Sequence, residues 1–471
     1  MSAPEPSEGP DLVVAGAGGG LVAALRAAAR GASVLVVERN EHFAVGNNTA
    51  MSTAMVPGAG SRWQREAGIE DSPQTFVDDV LAKTHGEADR RLATALAEVS
   101  APLVEWMADG LDLPLSLVTD FPYPGHSRLR CHTVPGRAGR AMLRDLVARV
   151  RASDLIDLMV PAVLTEVRTD ADGAVVGVVV QGPSGPPEEV PTRALLLATN
   201  GFGADAALVA EHIPEIAGAV YHGSEGSRGD ALRIGTALGA ATAYLDSYQG
   251  HAALAMPAAT LAGWATVMHG GFLVDARGRR FGDETTGYSE YAAESLRHAD
   301  GQAWIVLDQR VHDACLSFQD YRDTVESGAV KWGDDVAALA AATGLPADAL
   351  GATLERTTQA AGGAEDEFGR TYWEEPLRAP YAAVAVRPAL FHTQGGLVVD
   401  EHARVLTTDD RPIPGLYAAG GAAAGISGHG AAGYLAGNGL LPAFGLSYLA
   451  ADHVADGLGL PAVPPVVPAA G

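Results

Sequence analysis

Five small residues, Gly16-Ala17-Gly18-Gly19-Gly20, stand between a short apolar run and an alanine-rich helix former. A glycine turn that opens a helix presents unpaired N–H groups and the positive end of the helix dipole, which is the chemistry of anion binding. Side chains at Gly18 to Gly20 would keep a pyrophosphate from the backbone. Further on, Glu38 closes a second apolar run, where a carboxylate can accept hydrogen bonds from ribose hydroxyls. Three elements must position these groups. Asp11 to Ala15 reads as a buried parallel strand, Leu21 to Arg30 as a helix ended by Gly31, and Ser33 to Val37 as the second strand. Together they make a βαβ unit of nucleotide-binding size. The spacing departs from Gly-x-Gly-x-x-Gly. Counted back from Glu38, Gly20 is the third glycine and the first two fall at Ala15 and Ala17. Counted forward from Gly16, the third falls at Leu21. Either the turn is one residue short or it tolerates alanine.

The far end of the chain supplies a second glycine-rich strand, turn and helix. Pro414 to Gly421 includes Gly420 and Gly421, and Gly437-Asn438-Gly439-Leu440 opens a last helix that runs to Ala451. A nicotinamide enzyme has little need of this second signal, whereas a flavin needs it to cover its ribitol and ring. FAD is therefore the expected cofactor, with backbone N–H groups at Gly437 to Leu440 facing it.

Between these ends, Phe76 to Thr84, Leu92 to Asp109 and residues 137–151 read as helices. Leu155 to Gln181 reads as strands broken by a turn at Asp170 to Gly173, and Arg193 to Thr199 as another buried strand. From Gln249 to Arg387 the chain reads as irregular loops and helices, among them Val336 to Thr343 and Pro346 to Ala361. The expected fold class is α/β: a Rossmann-like FAD-binding domain in two parts, 10–248 and 388–455, with an inserted α+β substrate-capping domain, 249–387, and a loose tail, 456–471.

The formal net charge of −25 argues against nucleic acid, which requires a basic face. Two distant cysteines, Cys131 and Cys315, form no disulfide framework and fit a reducing cytosol, so a cytoplasmic location is expected. No uninterrupted apolar stretch reaches the ~20 residues of a membrane span. No haem-attachment or iron–sulfur cysteine pattern is present and no metal site is expected, so electrons are expected to leave through a diffusible or protein acceptor.

Taken in order, the opening βαβ, Ala198-Thr199-Asn200-Gly201-Phe202, Gly229-Asp230, Gly278-Arg279-Arg280-Phe281 with Asp283-Glu284, His392-Thr393-Gln394-Gly395-Gly396 and the closing glycines resemble one family. It is the flavoprotein family of soluble fumarate reductases and 3-ketosteroid dehydrogenases, and the resemblance covers nearly all of residues 11–452. It implies a cofactor site that adds Arg39, Asn47, Asn48, Thr49, Ser52, Thr53, Ala198, Thr199, Asn200, Gly201 and Asp230 to Ala15–Gly20 and Glu38. It also exposes two departures: Gly46 to Thr53 holds no histidine, where some members of the group tether FAD, so non-covalent binding is expected, and Gly421 stands where the family usually has a ribitol-binding glutamate.

The resemblance implies hydride exchange at a carbon–carbon bond next to an activating carbonyl, on a small-molecule substrate. His251 and His392 fall where the family places substrate-orienting histidines. The arginines of the fumarate reductases are not matched. The carboxylate-clamping position holds Tyr434, the proton-relay position holds Tyr288, and the catalytic acid falls near His312, with Arg310 two residues before it. Arginine is the bidentate partner of a carboxylate, whereas tyrosine is a neutral donor suited to a ketone. The resemblance is closer to the ketosteroid dehydrogenase branch. Tyr434 is expected to hydrogen-bond the carbonyl oxygen, and Tyr288, Tyr291 or His312 to move the proton. The alternatives are a reductase of an unsaturated carboxylate that uses both histidines and Arg310, and a flavin-binding protein without catalysis.

Overall fold

The computed structural model describes residues 9–120, 123 and 125–462. The chain divides into two compact units. The first is Met1–His212, Gly223–Tyr248 and His392–Gly471, and the second is Ile213–His222 and Gln249–Phe391. Positions 463–471 of the expected tail lie outside the described residues.

The first unit is built on a six-stranded sheet. The strand Leu12–Ala15 lies between Val34–Val37 and Leu195–Leu197, parallel to both, with Val13 opposite Leu35 and Leu195. Ile156–Met159 extends the sheet on one side and Pro412–Ala418 on the other, both parallel, while Arg404–Leu406 closes the latter edge antiparallel. Leu12, Val13, Val14 and Leu195 to Leu197 are fully buried. This is why they read as unbroken apolar runs: a parallel sheet covered on both faces has no polar alternation. Each such side chain contributes roughly 1.5–3 kcal/mol on burial.

Two helices at opposite ends of the sequence bind the unit together. In Gly20–Ala29, Arg26 donates from Nε and Nη2 to the carboxylate of Asp452 at 2.8 and 3.0 Å, and its guanidinium lies 4.2 Å from the Tyr448 ring centre. Both partners belong to the helix Leu440–Gly457. Arg30 donates to the carbonyls of Leu460 (2.7 Å) and Pro461 (2.9 Å), so its charge is buried with its donors occupied.

The second unit is α+β, as the expected fold class has it, and supplies the strands that the reading of the insert as loops and helices lacked. It holds a seven-stranded sheet in which Tyr381–Thr393 is the long central strand, flanked by Tyr248–Ala255 and Ala303–Asp308, with Phe272–Val274 beyond. Every residue of Tyr248–Ala255 is buried. A strand of Gln, Gly, His and Ala buried on both faces shows neither alternation nor β-branched enrichment, so its period is invisible in sequence. The helices Val336–Thr343 and Ala347–Ala361 stand where their alanine-rich pattern placed them.

One fully buried ionic knot organises this unit. Glu284 accepts from Arg280 (Nε 3.0 Å, Nη2 2.8 Å), from Arg370 (3.1 Å) and from the Leu273 N–H (3.1 Å). Arg280 also binds Asp366, and Arg370 donates to the carbonyls of Gly271 and Val267. Burying a charge is tolerable only when it is paired and its other donors are occupied, and here both conditions hold.

Candidate active site

The glycine turn settles the spacing question. Gly16 has φ +112°, and a Cβ there would sit 2.3 Å from the Ala198 carbonyl oxygen, so only glycine makes this turn. The helix starts at Gly20, where a Cβ would lie 2.5 Å from Val14 Cγ1. Gly20 therefore does the close helix–strand packing of the third glycine, one position early: the turn is one residue short. The helix start carries no acidic residue in its first turn and no side-chain cap; Leu21 and Val22 donate to the Gly18 and Gly19 carbonyls, which leaves the backbone of Gly18 to Gly20 to meet an anion.

Of the predicted cofactor set, Glu38, Asn47 and Thr49 lie against this turn. Glu38 accepts from the Ala17 N–H at 2.7 Å and from the Asn40 N–H at 2.8 Å, which fixes its carboxylate beside the loop with lone pairs to spare. Asn47 donates to the Ala17 carbonyl at 3.1 Å and accepts from Ala50 N–H at 2.9 Å. A Cβ on Gly18 would lie 3.0 Å from Thr49 Oγ1. Ser52 donates to the Thr49 carbonyl (2.8 Å), the Thr53 carbonyl accepts from Thr133 Oγ1 (3.1 Å), and Asn48 Oδ1 accepts from Ser224 N–H (2.7 Å). Arg39 and Asp230 pair with each other.

Across the sheet, Ala198 continues the strand pairing through its N–H to the Ala15 carbonyl (2.8 Å). Asn200 adopts φ +65° and donates to Ser227 Oγ at 3.0 Å. Gly201 packs so tightly on Thr393 that a Cβ would lie 1.8 Å from its hydroxyl oxygen. Gly421 has a comparable reason to lack a side chain, since its Cβ would fall 2.3 Å from Asn200 Oδ1 and 2.9 Å from the Gly201 nitrogen. Asn200 thus fills the space that a glutamate at 421 would need.

Whether FAD fits is tested by the polar atoms left over. Thr199 Oγ1 and Asn438 Oδ1 are buried without a hydrogen-bond partner. Thr199 follows the Ala198 that abuts Gly16 and Asn438 precedes the last helix, so both unpaired atoms are available to a polar ligand there. With the pyrophosphate-competent turn and the Glu38 carboxylate, they form a donor and acceptor set that suits a dinucleotide. Gly420 (φ +62°) and Gly437 (φ +92°) bracket the closing loop, and Gly439 and Leu440 begin the last helix.

His392 and Tyr434 meet edge to face, ring centres 6.0 Å apart and planes at 70°. Gln394 donates from Nε2 to His392 Nδ1 at 3.0 Å. Burial pushes the His392 imidazole down to about 4, so it is neutral near pH 7. A Cβ built on Gly439 would lie 2.9 Å from His392 Nε2 and 3.5 Å from the Tyr434 hydroxyl. Two neutral polar tips therefore share one stretch of backbone.

The second unit has its own aromatic cluster. His251 is stacked between Tyr288 (4.8 Å, 19°) and Phe391 (5.4 Å, 20°), with Trp264 edge-on at 5.8 Å. Its Nδ1 accepts from the Ala253 N–H at 3.1 Å, which leaves the ring proton on Nε2. Burial, and then the nearby His222, hold His251 down at about 3. Tyr291 packs on Phe281 and Trp264. Its hydroxyl is buried without a partner, and burial with the nearby Glu284 charge keeps the phenol protonated, well above its ordinary range.

Arg310 and His312 are engaged elsewhere. Arg310 donates to Glu374 (2.8 Å) and to the His269 carbonyl (2.7 Å). His312 Nδ1 and the Tyr321 hydroxyl share a hydrogen bond of 3.0 Å, with Trp332 edge-on at 5.2 Å. Sequence reasoning missed Gln394 and Ser427, which bond to each other and support His392. Gln394 stands inside the motif His392 to Gly396, but nothing in a single sequence ties it to a serine over thirty positions away. Among the described residues no group of His, Cys, Asp or Glu could hold a metal ion, and no helix is long and apolar enough to cross a membrane.

Residues 11–440 match the family described as FAD binding domain. The chain is 30% identical over 425 residues to an NADH:fumarate oxidoreductase of Klebsiella pneumoniae, covering 89% of this chain and spanning 45% of that relative's length. Two solved structures share its fold and about a quarter of its residues. A flavocytochrome c3 fumarate reductase in its open conformation superposes with TM-score 0.78 at 26% identity, over 96% of this chain and 79% of the other. A 3-ketosteroid-Δ4-(5α)-dehydrogenase of Rhodococcus jostii RHA1, solved with 4-androstene-3,17-dione, gives 0.72 at 26%, over 95% and 96%. The glycine turn, the acidic strand end and the closing glycines thus have one explanation: the chain belongs to the FAD binding domain family, as an FAD-dependent oxidoreductase of the fumarate reductase and 3-ketosteroid dehydrogenase group.

Proposed function

We propose that this flavoprotein exchanges hydride at a carbon–carbon bond α,β to the carbonyl of a neutral ketone, of the ketosteroid or cyclic ketone kind. The FAD, non-covalently held, supplies the two-electron hydride chemistry. The observation that carries the substrate class is the pair of neutral tips over Gly439, His392 Nε2 and the Tyr434 hydroxyl. As the adjacent carbon gains or loses a proton, negative charge develops on the carbonyl oxygen. Neutral donors fixed in place stabilise that oxygen without reorganising. A dicarboxylate instead calls for guanidinium groups. The positions that would supply them hold tyrosine, and Arg310 is spent on Glu374.

His251 and Tyr288 are assigned to substrate orientation. His251 offers Nε2–H, and its stacked aromatic neighbours suit an apolar ring. Tyr288 or Tyr291 is assigned to the proton, because each is a phenol in the unit that holds His251. The names of relatives support a second reading, reduction of an unsaturated carboxylate, which would recruit Arg310.

The test is a substrate panel. Purified holoprotein with an artificial electron acceptor is expected to turn over 3-ketosteroids or substituted cyclohexanones and to ignore fumarate and other dicarboxylates. Turnover of dicarboxylates alone, abolished in Arg310→Ala, would establish the second reading instead.

A further inference from the structure

We propose that Gln394 is a positioning residue that fixes the proton of His392 on Nε2, through a hydrogen-bond relay running Asn438, Ser427, Gln394, His392. The relay is continuous. Asn438 Nδ2 donates to Ser427 Oγ at 3.1 Å, Ser427 Oγ donates to Gln394 Oε1 at 3.1 Å, and Gln394 Nε2 donates to His392 Nδ1 at 3.0 Å. Asn438, Ser427 and Gln394 are buried, at 1%, 1% and 5% exposure, so water does not compete for these bonds.

Two groups contend for His392 Nδ1. Gln394 offers it an N–H at 3.0 Å, which requires Nδ1 to accept. The Thr393 carbonyl lies 3.3 Å from the same nitrogen and would require Nδ1 to donate. A neutral imidazole has one proton, so the stronger partner chooses the tautomer. The shorter bond comes from Gln394, and Ser427 holds that amide the right way round by occupying its oxygen.

The direction of the relay is that of its bonds. Reversing it would turn both amides and send the Ser427 proton to Asn438, whereas here both amide nitrogens donate, and the atom left over is Asn438 Oδ1, an acceptor available to the cofactor. The result is an Nε2–H that donates over Gly439, beside the Tyr434 hydroxyl.

The catalytic consequence rests on the ketone reading above, but the tautomer does not. The experiment is therefore read first by NMR. Holoprotein labelled with 15N-histidine is examined by long-range proton–nitrogen correlation, the His392 signals being assigned by their loss in His392→Asn. Wild type is expected to show a bare Nδ1 and a protonated Nε2. Gln394→Met removes the donor and leaves the Thr393 carbonyl as the partner of Nδ1, so signal from the Nδ1–H tautomer is expected. Gln394→Glu presents an acceptor and is expected to complete the reversal. Ser427→Ala frees the amide to turn and is expected to give both tautomers. A wild-type Nδ1–H pattern would overturn the proposal. So would an unaltered Nε2–H pattern in Gln394→Met, which keeps the side chain's length and decides the matter if the glutamate variant fails to fold. In steady state, Gln394→Glu is expected to lower kcat about 100-fold, the scale of one lost oxyanion donor, with KM nearly unchanged. A reversed tautomer with unchanged kcat would leave the relay standing and sink the ketone reading instead.

Discussion

His392 and Tyr434 lean over the same glycine: a single added carbon at Gly439 would come within 2.9 Å of the imidazole Nε2 and 3.5 Å of the phenol oxygen. Under the proposed function the two would hold one carbonyl oxygen between two donors. Removing the phenol oxygen while keeping the ring should expose that role. Tyr434→Phe is expected to reduce kcat for a ketone substrate by about 10²–10³, or roughly 2.7–4 kcal/mol, while FAD content stays at the wild-type level. Rapid-reaction flavin reduction and the visible spectrum check both halves.

The buried histidines predict how stability responds to pH. His126 and His132 are held down to about 4, His251 to about 3 and His392 to about 4, in each case first by burial. The unfolded chain takes up their protons near 6.5 while the folded chain refuses them until near 4 or below. Their contribution is therefore complete above pH 6.5 and lost as pH falls through that window, by about 1.4 kcal/mol per pH unit for each histidine. Thermal unfolding is expected to show Tm falling steadily from pH 6.5 to 4.5, with a shallower slope in His251→Gln. Turnover of a ketone should show no histidine inflection near 6.5. An acidic limb there would mean that a protonated imidazole is required.

Glu284 is the carboxylate on which two buried arginines depend. Replacing it with alanine leaves Arg280 with Asp366 alone among carboxylates and Arg370 with backbone oxygens. Loss of one partner of a buried pair costs about 3–5 kcal/mol, so Glu284→Ala is expected to lower the unfolding midpoint in urea by that equivalent. A change under 1 kcal/mol would contradict the pairing.

Gly421 allows a test in the opposite sense. Introducing the glutamate usual in the family places a Cβ 2.3 Å from Asn200 Oδ1. Gly421→Glu is expected to weaken FAD retention, read by flavin fluorescence after gel filtration. Adding Asn200→Gly is expected to restore part of it by clearing the space.

The nucleotide half of the molecule was legible because its physics is local. Fully buried parallel strands must be apolar runs, and a turn that cradles phosphate must be glycine, so Leu12–Val14 and Gly16–Gly20 announce themselves. Local spacing could not decide whether the turn was short, because the role of Gly20 is set by its distance to Val14 and Ala198. The insert's sheet was illegible for the reason given by Tyr248–Ala255: burial on both faces with small residues leaves no period. His251 and His392 were found by position in a family pattern, but their tautomers come from Ala253 and Gln394, which are contacts and not spacings. Arg310 could not be assigned without seeing Glu374 beside it.

The most direct measurement is anaerobic and needs no electron acceptor. Wild-type holoprotein and Tyr434→Phe are each mixed with a saturated 3-ketosteroid or substituted cyclohexanone, and with succinate, while the flavin absorbance is followed. The account predicts that a ketone bleaches the wild-type flavin, that the variant bleaches at least a hundredfold more slowly, and that succinate does nothing. Bleaching by succinate with no response to any ketone, or identical rates in the two proteins, would contradict it.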